Sequence, residues 1–181
     1  MGLLAETQIE EQYGSDDHFG CSVSNVGDVS DDGIGDFIVG AQGMTDAKPG
    51  MAYIVFGGNA ANIEKRSSFP RTKGYRILGN ASKDRFRCSV SGAGDVNGDE
   101  INNLIILACN KDSDKGASSI IYGVKSNTGT DINLAQALPQ SKGFMVKGIA
   151  IGDQLRVGEL IGNAVRGVGD LNGDGFADIM R

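Results

Sequence analysis

The sequence predicts an all-β protein made of four-stranded antiparallel sheets set side by side. Three observations carry that expectation. An Asp/Asn/Gly-rich nonapeptide occurs three times, headed by Asp28, Asp95 and Asp170. Matching short apolar segments flank the copies, rich in Val, Ile, Phe and Tyr and bounded by Gly, Asn and Asp. Helical periodicity is almost absent, since only Asn133-Leu-Ala-Gln-Ala-Leu138 suggests a turn or so. Four strands in a repeat of roughly 70 residues describe one blade of a β-propeller, and such a blade buries both faces only when neighbours stack on it. The expected architecture is an incomplete propeller.

Taken in order, residues 1–18 read as a lead-in segment or the outer strand of a neighbouring blade. Blade 1 spans 19–85, blade 2 spans 86–160, and 161–181 is the truncated start of blade 3. The first strand of each is Phe19-Gly-Cys-Ser-Val-Ser24, Phe86-Arg-Cys-Ser-Val-Ser91 and Ile161-Gly-Asn-Ala-Val-Arg166. The second is Phe37-Ile-Val-Gly-Ala41, Leu104-Ile-Ile-Leu-Ala108 and the stub Ile179-Met-Arg181. Its continuous apolar run predicts a strand buried on both faces. The third is Gly50-Met-Ala-Tyr-Ile-Val-Phe-Gly57 and Gly116-Ala-Ser-Ser-Ile-Ile-Tyr-Gly123. The fourth, Gly74-Tyr-Arg-Ile-Leu-Gly79 and Gly143-Phe-Met-Val-Lys-Gly148, alternates in polarity and predicts an outer strand half in water. Propellers have at least four blades, so the chain is expected to be a fragment, an incomplete gene product or a protomer completed by other chains.

The nonapeptides carry the chemistry. In the third copy, Asp170, Asn172, Asp174 and Asp178 hold positions 1, 3, 5 and 9, and Phe176 at position 7 offers its backbone carbonyl. In the first copy the same positions are Asp28, Ser30, Asp32, Ile34 and Asp36; in the second they are Asp95, Asn97, Asp99, Ile101 and Asn103. A hard dication such as Ca²⁺ takes six to eight oxygens at about 2.3–2.6 Å. Its charge offsets the mutual repulsion of clustered carboxylates. Glycine at position 6 permits the left-handed turn that returns the chain to the ion. The bland reading is an Asx-rich turn with no metal. An EF-hand or dockerin would need a carboxylate at position 12, which is Val39, Ile106 and Arg181 here, with helices on either side. Magnesium keeps several waters and needs only one or two carboxylates, so an oxygen-rich loop favours calcium.

Composition narrows the function. With 28 glycines and only three prolines in 181 residues, the chain is rich in turns and unlike collagen or a disordered tract. A net charge of −6 argues against nucleic acid or an anionic membrane as partner, and three bound dications would neutralise it. Three cysteines make no disulfide framework, and Cys21 and Cys88, at equivalent positions, are expected to be small buried side chains. No apolar run reaches the 18 residues or so of a membrane span. Met1-Gly-Leu-Leu-Ala-Glu6 lacks the layout of a secretory signal and, with Glu6, of a myristoylation site. The sole histidine, His18, reads as solvent-facing. With no triad, phosphate loop or zinc set, no enzyme is expected.

These residues resemble FG-GAP repeats, the blades of the integrin α-subunit propeller and of many surface proteins. Phe19-Gly20 and Gly40-Ala41-Gln42 carry the first copy without the proline; Phe86-Arg87 and Leu107-Ala108-Cys109 carry the second. Ile161-Gly162 opens the third. The resemblance covers residues 9–181 and implies a structural Ca²⁺ in the loop joining strands one and two. It also implies an extracellular or cell-surface setting. Recognition of a protein or glycan would fall to the opposite face, here Gln42–Gly50, Gly79–Arg85, Asn110–Gly116 and Gly148–Leu160. The alternatives are the non-catalytic propeller part of a larger hydrolase-type or surface protein, or a fragment with no independent role.

Ligand charge ranks the loops. The third, with three carboxylates, Asn172 and Gly175, should bind tightest, and the first follows, since Ser30 is a weaker donor. The second keeps two carboxylates and places Glu100 at position 6, where a left-handed conformation costs about 1–2 kcal/mol. It is expected to be weak or empty. The Lys83/Arg85/Arg87 cluster reads as a solvated loop.

Overall fold

In the computed structural model, the residues described are 9–10, 19–41, 50–58, 63–64, 69–79, 86–108, 117–125, 129–147 and 166–180. They form an all-β structure of thirteen strands in several sheets, none closed. The first large sheet contains β2 (Phe19–Gly27), β3 (Asp36–Ala41), β4 (Met51–Val55) and β6 (Gly74–Leu78), paired antiparallel in sequence order. The second repeats the pattern with β7 (Phe86–Gly94), β8 (Asn103–Ala108), β9 (Ala117–Ile121) and β11 (Gly143–Lys147). The third copy shows β12 (Arg166–Gly169) paired with β13 (Asp178–Met180). The four-strand repeat read from the sequence is therefore present twice, and its opening hairpin a third time.

The sheets stack through their faces. Ile38, Ala52, Ile54, Tyr75 and Ile77 on one face of the first sheet join Val90, Leu104, Ile106 and Ile121 of the second in a single core. Because strands alternate their side chains, the far face of the second sheet presents Ile105, Leu107 and Ile120, and Ile179 of the third copy packs there. This is why the apolar second strands, β3 and β8, are buried on both faces as expected. The leading strands come closest at two glycines. A Cβ on Gly92 would lie 3.1 Å from the Asn25 carbonyl oxygen, and one on Gly167 would lie 2.6 Å from Ala93 backbone.

Three expectations need correction. The fourth strand of the first sheet is no edge: β10 (Ile132–Asn133) arrives from the second repeat and pairs parallel with β6. A polar-apolar alternation cannot reveal a neighbour that arrives from 55 residues away in sequence. The segment from Asn133 to Leu138 makes a turn and buries Leu134 in the core, and a 3₁₀ turn follows at Gln140–Lys142. Cys21 is exposed, because with Val23 and Asn25 it lies on the face of β2 turned away from the second sheet, to which Ser22 and Val26 point. The Cys88 side chain, Cys109 and His18 lie outside the described residues.

The short β1 (Ile9–Glu10) pairs parallel with β5 (Ile63–Glu64), Ile9 opposite Ile63, just as Ile77 of β6 stands opposite Ile132 of β10. The β1–β5 pairing thus has the same sense and the same isoleucine-on-isoleucine register as the β6–β10 pairing. Among the described residues no helix is long and apolar enough to cross a membrane.

Candidate metal loops

Each loop begins where the leading strand has already been bent. A glycine with positive φ precedes the first aspartate in all three copies (Gly27, Gly94 and Gly169, at 72°, 72° and 75°), beside a register shift in the hairpin. Positive φ recurs at position 4 (Asp31, Gly98, Gly173) and position 6 (Gly33, Glu100, Gly175). The turn expected at position 6 is present, and in the second loop Glu100 adopts it at φ 69° despite its side chain.

The first aspartate organises the turn by accepting backbone N–H groups. Its Oδ2 accepts from position 6 at 2.7, 2.8 and 2.8 Å in the three loops. Its Oδ1 accepts from position 5 at 3.1, 3.3 and 3.1 Å. Position 5 repeats the device: Asp32, Asp99 and Asp174 accept the N–H of Ile34, Ile101 and Phe176 at 2.8, 3.0 and 2.9 Å. At Asp28, slight burial works upward on the pKa, but the N–H groups of Gly33, Asp32, Asp31 and Ser30 outweigh it and hold the carboxyl below its ordinary value. Asp170 is lowered chiefly by the Gly175 N–H, with Gly173, Asp174 and Asn172 adding to it against a small desolvation effect.

Position 9 differs in kind, because it reaches the third strand. Asp36 is buried, with Oδ2 accepting the Val29 N–H at 3.0 Å and Oδ1 the Gly57 N–H at 2.8 Å. Burial, with Asp32 and Asp28 nearby, raises its pKa against those two bonds. Asn103 is also buried, and its Oδ1 accepts the Gly123 N–H at 3.0 Å. Because that donor fixes the oxygen, the Asn103 Nδ2 faces inward and donates to Asn97 Oδ1 at 3.1 Å. An amide N–H₂ thus stands where a ligand oxygen is needed. In the third loop Asp178 Oδ2 accepts the Leu171 N–H at 2.8 Å. Sequence reasoning missed Gly57 and Gly123; the available signal was a glycine closing the third strand of both repeats, 21 and 20 residues after position 9.

The donor set of the first and third loops is all oxygen and fits a hard cation by chemistry. The side chains do not stand as a closed cage: among the described residues no three His, Cys, Asp or Glu groups converge into a cluster. Position 3 shows why. The Asn172 amide N–H₂ donates to Asp174 Oδ2 at 3.0 Å, and Asn97 does the same to Asp99 at 2.9 Å. Ser30, buried in the first loop, donates its hydroxyl to Asp28 Oδ1 at 3.4 Å. The candidate ligands are tied to one another and to loop N–H groups.

The loops also brace each other. Asn102 N–H donates to the Asp28 carbonyl at 3.2 Å, and Ala177 N–H donates to the Asp95 carbonyl at 2.8 Å, so position 8 of one loop binds position 1 of the loop before. Lys125 pairs with Asp31 at 2.6 Å on the exposed tip of the first loop. The loops implied for ligand recognition, and the basic cluster at Lys83, Arg85 and Arg87, lie outside the described residues apart from Gly50, Gly79 and the Arg87 backbone.

No family model matches the chain, and no curated protein matches it either.

Proposed function

We propose that this chain is a calcium-stabilised, non-catalytic interaction module built of FG-GAP-like repeats, its sheets standing as blades of an incomplete β-propeller. The observation that carries the reading is the threefold loop. Three segments of different sequence share positive φ at positions 4 and 6 and the same acceptance of the position 6 N–H by the first aspartate. Oxygen-bearing residues at alternate positions of such a turn are the donor set a hard cation requires.

Asp170, Asn172, Asp174, Asp178 and the Phe176 carbonyl would hold one Ca²⁺; Asp28, Ser30, Asp32, Asp36 and the Ile34 carbonyl would hold another. Bound there, the ion supplies positive charge that offsets carboxylate repulsion, and its binding free energy adds to folding stability. Asp95, Asp99, Asn97, Asn103 and the Ile101 carbonyl form the weak site, since Asn103 turns a donor inward. The partner is a protein or glycan met by the face opposite the loops, in an extracellular or surface setting where millimolar calcium is available.

Calorimetric titration with Ca²⁺ and thermal unfolding in chelator test the reading. About two effective sites are expected, with a melting temperature that rises with free Ca²⁺. Equal affinity at all three loops, or a melting temperature indifferent to chelation, overturns it.

A further inference from the structure

The fourth strands β6 and β11 occupy equivalent places, yet they differ in what covers them. Each begins at a glycine of matching φ, Gly74 at 144° and Gly143 at 138°. Each presents an aromatic and an aliphatic residue on the face turned toward the next copy, Tyr75 and Ile77 on β6, Phe144 and Val146 on β11. The aromatic of each makes an edge contact with the residue just after the third strand, Phe56 with Tyr75 and Tyr122 with Phe144. Tyr75 and Ile77 are 4% and 0% exposed, whereas Phe144 and Val146 are 41% and 40% exposed.

The cause of the difference is the segment around β10. Ile132 and Leu134 pack against Tyr75 and Ile77. Asp131 Oδ1 accepts the Arg76 N–H at 2.9 Å, and the Leu134 N–H donates to the Leu78 carbonyl at 3.0 Å. The pairing of β5 with β1 has the same sense one repeat earlier, and in sequence both short strands follow an Asx, Asn62 before Ile63-Glu64 and Asp131 before Ile132-Asn133. On β11 the matching groups are the Met145 N–H and the Lys147 carbonyl, on an edge that no described strand pairs.

We propose that the outer edge of β11 is a docking site for an extended Asx-Ile-Xaa segment of a neighbouring repeat. It binds parallel, with its isoleucine opposite Val146 and its Asx side chain on the Met145 N–H. This is strand addition to a sheet edge, in which backbone bonds give affinity and one apolar pocket gives selectivity. Two features set the preference at this edge apart from that of β6. Met145 replaces Arg76, so asparagine serves as well as aspartate, and Lys147 replaces Leu78, which favours an acidic Xaa. The site does not depend on metal in the loops.

The test is a titration of the ¹⁵N-labelled full chain with a peptide of sequence Gly-Thr-Asp-Ile-Asn-Leu-Ala, run both in chelator and in Ca²⁺. Saturable shifts of the Met145 and Lys147 amide resonances are expected in both solutions. A peptide with aspartate in place of isoleucine should give none. Val146→Asp, at a solvent-facing position, should weaken binding about tenfold or more, while Val146→Ile keeps it. Stationary resonances over residues 143–147, or binding untouched by Val146→Asp, overturns the proposal. So does movement of those resonances with protein concentration alone and no competition by peptide, which would seat a second copy edge to edge instead.

Discussion

The Gly57 N–H donates to Asp36 Oδ1 at 2.8 Å, which makes the last residue of the first loop also the clasp on the end of the third strand. Asp36→Ala would leave two buried donors, at Val29 and Gly57, without acceptors. Each such loss costs about 1–3 kcal/mol. Asp36→Asn keeps an acceptor for Gly57, as Asn103 does for Gly123. In chelator, urea denaturation is expected to show Asp36→Ala less stable by about 2–4 kcal/mol and Asp36→Asn, which still leaves the Val29 N–H without an acceptor, by about half of that. Equal losses for the two variants would show that the clasp is not what holds the loop.

Glu100 is the residue whose backbone the second loop strains. At φ 69° a side chain costs about 1–2 kcal/mol, and glycine adopts the conformation freely. Glu100→Gly is therefore expected to raise stability by about 0.5–1 kcal/mol after its larger unfolded-state entropy is counted. Thermal unfolding measures it, and a lower melting temperature contradicts the account.

Gly175 and Gly74 should respond differently to alanine although both have positive φ. Nothing lies within 4 Å of a Cβ on Gly175, so only conformational strain of about 1–2 kcal/mol is expected. A Cβ on Gly74 runs into the Ile54 carbonyl oxygen, a backbone atom of the neighbouring strand. Gly74→Ala should lose several times more stability or fail to fold, judged by circular dichroism and denaturant midpoint. Comparable losses at the two sites would mean that β4 and β6 can part at no great cost.

The Asp131–Arg76 pair, at 2.6 Å with each side chain 22% exposed, fastens β10 to β6 and sets a pH dependence. Burial works upward on Asp131, but the Arg76 guanidinium and backbone N–H prevail and hold its pKa below 3.8. A depressed carboxylate contributes stability that is fully present above its unfolded pKa and lost as pH falls through the folded one. Asp131→Asn is expected to cost about 1.5 kcal/mol or more at pH 7 and progressively less below pH 3.8. Denaturant midpoints of both proteins across that range check it; a difference constant with pH would refute it.

What the sequence made legible is what repeats at the scale of whole strands. Phe37–Ala41 and Leu104–Ala108 announce buried strands because burial on both faces leaves an unbroken apolar run, and Gly33 and Gly175 announce left-handed turns. The two-residue strands at Ile63 and Ile132 escape notice since so short a piece has no period to detect. The exposure of Cys21 escapes notice for a related reason: a strand-like pattern does not say which of its two faces a neighbouring sheet covers. The second duty of position 9 depends on Gly57 and Gly123, some 20 residues away, and becomes visible only once the strands are paired.

The bracing between loops runs from one peptide group to the next: Asn102 N–H to the Asp28 carbonyl, Ala177 N–H to the Asp95 carbonyl. Main-chain bonds of that sort are blind to side-chain identity, and position 8 is occupied by Gly35, Asn102 and Ala177 in turn. Divergence by substitution can therefore proceed within a copy without disturbing its alignment on the next. A single inserted or deleted residue between positions 1 and 8 has no such latitude. What this lineage must inherit is the length of the segment.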